Sequence, residues 1–156
     1  MKVLILLLAV FTLAACSSTG RLVDTSKLQP SRGAILEGNA ALKLFSQCSR
    51  SAPKPDGFWT PATEVISIME TEFPDQMNRI HSFHRAPFEK YYRQYAGFTK
   101  STRRYIYCNF FTGSQDDELF RTRAIIACDG GDEFFGVVYD VENHKFQDYR
   151  ANGGLY

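Results

Sequence analysis

The periodicity of the chain changes at Pro87, and that change limits the folds open to it. Before Pro87, Val65, Ile68, Met69 and Phe73 recur at spacings of three and four and form one apolar stripe of a helix. Thr60 is a good N-cap, Pro61 suits the first helical position, and Glu64 favours the positive helix end. Pro74 disfavours helix at Phe73, so a second or kinked segment is expected over 75–83, burying Met77, Ile80 and Phe83. After Pro87 the chain is aromatic and β-rich. Segments 91–98 and 103–112 read as a hairpin around 99–102, and 121–128 reads as a third strand through Ala124-Ile125-Ile126-Ala127. Asp129-Gly130-Gly131-Asp132 is a turn in which the glycines supply positive φ. Segment 134–141 reads as a fourth strand, and Asn143-His144 turns into a short fifth over 145–149. Helix first and antiparallel meander second predict an α+β fold, with one or two N-terminal helices packed on an antiparallel sheet of about four or five strands. No period of about 20–50 residues repeats.

Two more segments complete the pass. Residues 34–47 are ambiguous, with Asn39 a possible cap for a short helix carrying Ala40, Leu42, Leu44 and Phe45. Pro53, Pro55 and Gly57 make 49–57 a loop.

The first residues have a different purpose. Met1-Lys2 precede an apolar run, Val3 to Ala15, that is shorter than the roughly 20 residues a membrane helix needs. One early cation, a short apolar core and small residues at its end read as a secretory signal. Leu13-Ala14-Ala15-Cys16 resembles the lipobox of bacterial lipoproteins. That resemblance implies cleavage before Cys16 and lipidation of Cys16 by palmitate-type acyl chains, enough for stable anchoring where one chain is marginal. Ser17 after the cysteine resembles the outer-membrane sorting pattern. The expected location is the bacterial cell envelope, lipid-anchored, at the outer membrane facing the periplasm. The division is then signal peptide 1–15, lipidated tether 16–33 and one globular domain 34–156. Without the signal about 141 residues remain, a usual size for one domain.

The chain carries 18 basic and 17 acidic residues. Near-neutrality argues against a general polyanion binder, so no nucleic-acid partner is expected. The charge is unevenly placed. Arg79, Arg85, Lys90, Arg93, Lys100, Arg103 and Arg104 face only Glu89, whereas 116–148 is acidic. Neighbouring strands paired through complementary charges explain this, and so does a basic face for an anionic partner. Tyrosine and arginine favour interfaces, which makes Arg93, Tyr95, Arg103, Arg104 and Tyr105 the candidate binding residues. Alternation puts Arg93 with Tyr95 on one face of a strand and Arg103 with Tyr105 on one face of its partner; a suitable register would merge them.

Catalytic signals are few. No Gly-x-Ser-x-Gly, Ser-x-x-Lys or His-Glu-x-x-His signature is present. Cys108 lies mid-strand among aromatics, where a thiol is usually inert. His81 and His84, three apart, lack a completing ligand, and Asp129, Asp132 and Glu133 lack the EF-hand spacing. No metal and no cofactor are expected. The function expected is a non-enzymatic binding role toward an envelope protein or glycan, inhibitor- or immunity-like. An envelope hydrolase or a structural accessory of an envelope complex is the alternative.

Three cysteines follow Cys16: Cys48, Cys108 and Cys128. An oxidising compartment predicts a disulfide, and spacing leaves all three pairings open. Cys48-Ser49-Arg50, Trp59-Thr60-Pro61, Arg93-Gln94-Tyr95-Ala96-Gly97 and Cys128-Asp129-Gly130-Gly131-Asp132, with Phe135-Gly136-Val137 and Tyr139-Asp140, resemble a family of small uncharacterised proteobacterial exported proteins. The resemblance covers 48–153 and brings no activity. It implies a Cys48–Cys128 bond with Cys108 left as a buried thiol.

Overall fold

The computed structural model describes residues 32–80, 87–113 and 117–153. The signal segment, Cys16, the tether up to residue 31 and both His81 and His84 lie outside them. The fold is α+β. In chain order the elements are β1 (Gly33–Ile35), α1 (Gly38–Leu44), β2 (Gly57–Trp59), α2 (Thr63–Ile80), β3 (Tyr92–Lys100), β4 (Arg103–Phe111), α3 (Asp117–Thr122), β5 (Phe134–Asp140) and β6 (Lys145–Ala151), with short 3-10 turns at Phe88–Lys90 and Gly131–Glu133.

The sheet has six strands in the order β1-β3-β4-β5-β6, with β2 also on β3. It is mixed, not wholly antiparallel as expected. β1 runs parallel to β3, from Gly33 opposite Arg93 to Ile35 opposite Tyr95. β2 runs antiparallel to the rest of β3, from Gly57 opposite Thr99 to Trp59 opposite Gly97. Both strands are three residues long, too short to display a period. Gly33, placed in the tether by sequence, opens β1. Close approach at Gly97 is required: a Cβ there would collide with the Trp59 carbonyl and stand 3.0 Å from Pro61 Cδ. Pro61 therefore packs beneath the sheet, and α2 begins two residues later than the Thr60–Pro61 signal predicts.

One sheet face carries α2. Ile66, Met69, Phe73 and Met77 pack against Tyr91, Tyr95, Ile106, Cys108, Phe110, Phe135, Val137, Tyr139 and Phe146. Phe73 stacks on Phe110 at 4.6 Å between ring centres, and Phe110 on Phe135 at 4.6 Å. Ile68, expected in the stripe, is 36% exposed, whereas Ile66 is 7% exposed. At about 100° per residue, Ile68 lies about 140° from the middle of the stripe that Met69, Phe73 and Met77 define. The helix also continues through Pro74 where a break was expected. Phe73 and Met77 are both buried against the same face, and Pro74 itself is exposed, so the missing hydrogen bond falls on the solvent side.

The other face is covered by irregular chain as much as by helix. Leu36, Ala41, Leu44 and Phe45 pack on Ala96, Phe98, Tyr107 and Val138. In α1, Glu37 is the N-cap and Asn39 lies inside the helix, so the expected Asn39 cap does not form; Leu42 points outward. Residues 121–128 are not the third strand expected. Their backbone groups are taken by side chains from the sheet: Gln94 Nε2 donates to the carbonyls of Phe120 and Arg123, Gln94 Oε1 accepts from the Ile125 amide at 2.8 Å, and Asn109 Nδ2 donates to the Ile125 carbonyl. A segment satisfied in this way has no need of a strand neighbour.

Cys48 and Cys128 form a disulfide, Cα atoms 5.0 Å apart, which holds the same segment from the other side. Cys108 is free and buried, its Sγ 3.5 Å from Met69 Sδ. Gly130 and Gly131 both have positive φ, +114° and +55°, as the turn requires. β5 and β6 pair antiparallel with a bulge: Val138 faces Gln147 and Gly136 faces Arg150, so Asp148 and Tyr149 oppose Val137.

Candidate functional site

Strand alternation and the observed register divide the five candidate binding residues. Tyr95 is opposite Cys108 and Phe98 is opposite Tyr105. Arg93 and Tyr95 therefore share the α2 face, while Arg103 and Tyr105 share the other, and the single patch does not assemble. Arg93 is 1% exposed. Its Nε donates to Glu70 Oε1 at 2.9 Å, its Nη1 donates to the Phe88 and Tyr91 carbonyls, and its guanidinium lies 4.5 Å from the centre of the Phe88 ring. Tyr95 Oη donates to the same Glu70 oxygen. Burial, reinforced by the Glu70 charge, pushes the Tyr95 phenol well above its ordinary value. These two residues hold α2 to the sheet. Arg104 sits over the Trp59 ring at 5.2 Å and pairs with Glu142 at 3.3 Å.

Arg103 and Tyr105 line a cleft of about 360 Å³ at the hairpin end of the second face. Pro53, from the loop between α1 and β2, forms one wall. The floor is the half-buried Tyr105, which stacks across the strands on the buried Phe98 at 5.4 Å and 25°. Arg103 Nη2 donates to Asp140 Oδ2 at 2.8 Å, and its guanidinium lies 5.8 Å from the Tyr105 ring centre. Asp140 is 3% exposed and also accepts from the backbone and side-chain nitrogens of Asn143. This buried carboxylate fixes the Arg103 side chain at the cleft. Lys100 and Asp148 complete the charged rim, and neither makes an ion pair among the described residues. The tip of the hairpin is shaped by Ser101, whose φ is +55° and whose amide donates to Asp56 Oδ2 at 2.7 Å.

Lys100 belongs to the basic stretch but, like Gln147 and Asp148, is not among the candidate binding residues read from the sequence. Lys100 shares the strand face of Phe98 and is register partner to Arg103, so alternation across 99–102 carried a signal for it. Gln147 and Asp148 reach the cleft only through the β5–β6 pairing and left no local signal.

Two other polar clusters are structural in geometry. Arg50 is 8% exposed and donates from Nε to Tyr107 Oη at 3.1 Å, from Nη1 to Asn152 Oδ1 and from Nη2 to Asn109 Oδ1. Asn152 Nδ2 in turn donates to the carbonyls of Ala127 and Asp129, on either side of Cys128. Midway along α2, Tyr139 Oη donates to Glu72 Oε2 at 2.7 Å and His144 Nδ1 lies 2.9 Å from Glu72 Oε1. Burial, then the Glu72 hydrogen bond, raises the Tyr139 phenol. Burial also pushes the Cys108 thiol well up, which keeps it protonated and unreactive.

Glu133 accepts from the Thr112 hydroxyl at 2.9 Å, and among the described residues no three His, Cys, Asp or Glu side chains converge as a metal site. Among the same residues no helix is long and apolar enough to cross a membrane. Compared with known protein families, curated proteins and solved structures, the chain matches none of them.

Proposed function

We propose that this chain is a lipid-anchored protein of the bacterial envelope, tethered through Cys16, that recognises an envelope partner without transforming it, in an inhibitor- or immunity-like role. The observation that carries the binding reading is the cleft: the half-buried Tyr105 ring, backed by Phe98, beneath two cations, an amide and a carboxylate. A concave site with an apolar floor and a few converging polar groups is the usual form of a ligand site. The tether reading rests on Leu13-Ala14-Ala15-Cys16.

Two measurements test it. Cys16→Ser abolishes incorporation of labelled palmitate and leaves uncleaved precursor; normal processing of that variant refutes the anchor. Cross-linking of the tethered protein in intact envelopes captures its partner, and Lys100→Glu with Tyr105→Ala reduces that capture while the variant still folds, at a lower melting temperature. Equal capture by the folded variant refutes the cleft as the binding site.

A further inference from the structure

Resting on the binding reading above, we infer that the ligand of the cleft is an acidic saccharide unit: a sugar ring that carries a carboxylate. Three features of the cleft select this chemistry. The first is the floor. Tyr105, half-buried at the open end of the sheet, offers the exposed ring surface, and the buried Phe98 stacks behind it across the strands. Aromatic rings pair an apolar body with a defined face, and the C–H face of a pyranose fits against such a surface.

The second feature is the pair of cations. Lys100 and Arg103 are register partners across the hairpin and both border the cleft. Asp140 is buried and takes one Nη of Arg103; the remaining donors of the fork, with the Lys100 ammonium, which makes no ion pair among the described residues, can meet an anionic oxygen. The Arg103 fork is held in place before any ligand arrives, which limits the ordering cost of binding.

The third feature is the acceptors. Asp148 and Gln147 line the same cleft from β6. The side-chain carboxylates of an acidic peptide repel Asp148, and its donors are confined to the backbone N–H groups. A sugar offers it hydroxyl donors, while its ring carboxylate meets Lys100 and Arg103. The cleft thus presents both donors and acceptors around an aromatic floor, the combination that a polyhydroxylated anion satisfies in full. At about 360 Å³ the cleft lies at the small end of ligand sites, the size of one or two sugar rings.

Asp148 is held for this task by backbone geometry. Its φ is +54°, a left-handed value for a residue with a side chain, and it lies in the β5–β6 bulge. A bulge turns a side chain out of the regular alternation and re-aims it, here toward the cleft.

The test uses the purified full chain and three probes: a short oligogalacturonate, its methyl ester, and a glutamate-rich peptide of matched charge. A disaccharide containing N-acetylmuramic acid serves as a second carboxylate source. Calorimetry and amide shift mapping are expected to show binding of one or both acidic saccharides, with shifts at 98–105 and 147–148. The methyl ester, and Lys100→Gln with the free acid, are each expected to bind about tenfold more weakly. Tyr105→Ala is expected to lose the stacking contribution with folding intact by circular dichroism. Asp148→Asn, which keeps the side-chain size, separates hydroxyl acceptance from fold. No binding of either acidic saccharide at millimolar concentration overturns the inference. So does equal binding of the ester, binding unaffected by both Lys100→Gln and Tyr105→Ala, or preference for the acidic peptide. Partner capture that depends on Lys100 without any saccharide binding overturns the saccharide alone; capture that ignores Lys100 and Tyr105 overturns the binding site itself.

Discussion

Replacing Glu70 by Gln should destabilise the domain far more than a typical surface charge change. Glu70 Oε1 receives both Arg93 Nε, at 2.9 Å, and the Tyr95 hydroxyl. The side chains of the ion pair are 1% and 10% exposed, for Arg93 and Glu70 respectively. Gln keeps the shape and an acceptor oxygen, so the change removes the negative charge and little else. At an effective dielectric of about 20, the attraction between charges this close is on the order of 5 kcal/mol before desolvation is deducted. Breaking a buried pair by removing one partner costs about 3–5 kcal/mol, because the other charge stays buried. Arg93 keeps the Phe88 and Tyr91 carbonyls and the Phe88 ring, which favours the lower end, about 3 kcal/mol. With a urea slope of about 2 kcal/mol/M, the unfolding midpoint should fall by about 1.5 M. Adding Arg93→Met removes the stranded cation, and the double variant should recover much of the loss. A midpoint shift worth less than about 0.5 kcal/mol for Glu70→Gln, the scale of an ordinary surface substitution, would refute the buried-pair reasoning.

Three further outcomes are expected. Phe73→Ala should cost about 3–5 kcal/mol, since the rings of Phe88, Phe110, Phe135 and Phe146 pack on it, while Ile68→Ala should cost less than about 0.5 kcal/mol; equal effects in chemical denaturation would mean that α2 presents a different face. The Cys48→Ser, Cys128→Ser double variant should lose about 2–5 kcal/mol, and peptide mapping of the unreduced parent should recover the 48–128 link; a link through Cys108 would refute the pairing. Stability should decline in alkali: the Cys108 thiol and Tyr95 phenol are raised by burial, so the unfolded chain releases their protons first, from about pH 8.5 for the thiol and about 10 for the phenol, and binds fewer protons than the native state. Cys108→Ala should flatten the thiol part of this slope, and an unchanged pH profile of the unfolding midpoint would contradict a buried thiol.

How far the chain could be read depended on whether a segment's partners were local. The β3–β4 hairpin, β5 and β6 were legible because alternation and turn residues lie within each segment. β1 and β2 were not, since three residues on the edge of a distant strand show no period. Ala124-Ile125-Ile126-Ala127 has strand composition, but Asn109 and Gln94, 16 and 31 residues before Ile125, occupy its backbone groups. Arg93 read as a surface cation because its acid partner is on another element, 23 residues earlier. In the cleft, Arg103 and Tyr105 were accessible to alternation, whereas Asp148 arrives through a bulge that no sequence period announces.

That bulge also bears on how the molecule behaves at high local concentration. β6 ends the strand order, and past the Phe146 amide, which donates to Gln76, it is a sheet edge with no strand beyond it among the described residues, whereas the opposite edge is made of the short β1 and β2. A flat open edge templates pairing with another copy of the chain and from there aggregation. Asp148 breaks the regularity of β6 at its middle, and Lys145 and Arg150 place like charges on either side. Two copies meeting edge to edge would face mismatched hydrogen-bond spacing and charge repulsion at once. The residue that re-aims one carboxylate toward the cleft therefore also keeps neighbouring molecules from adding a strand to one another.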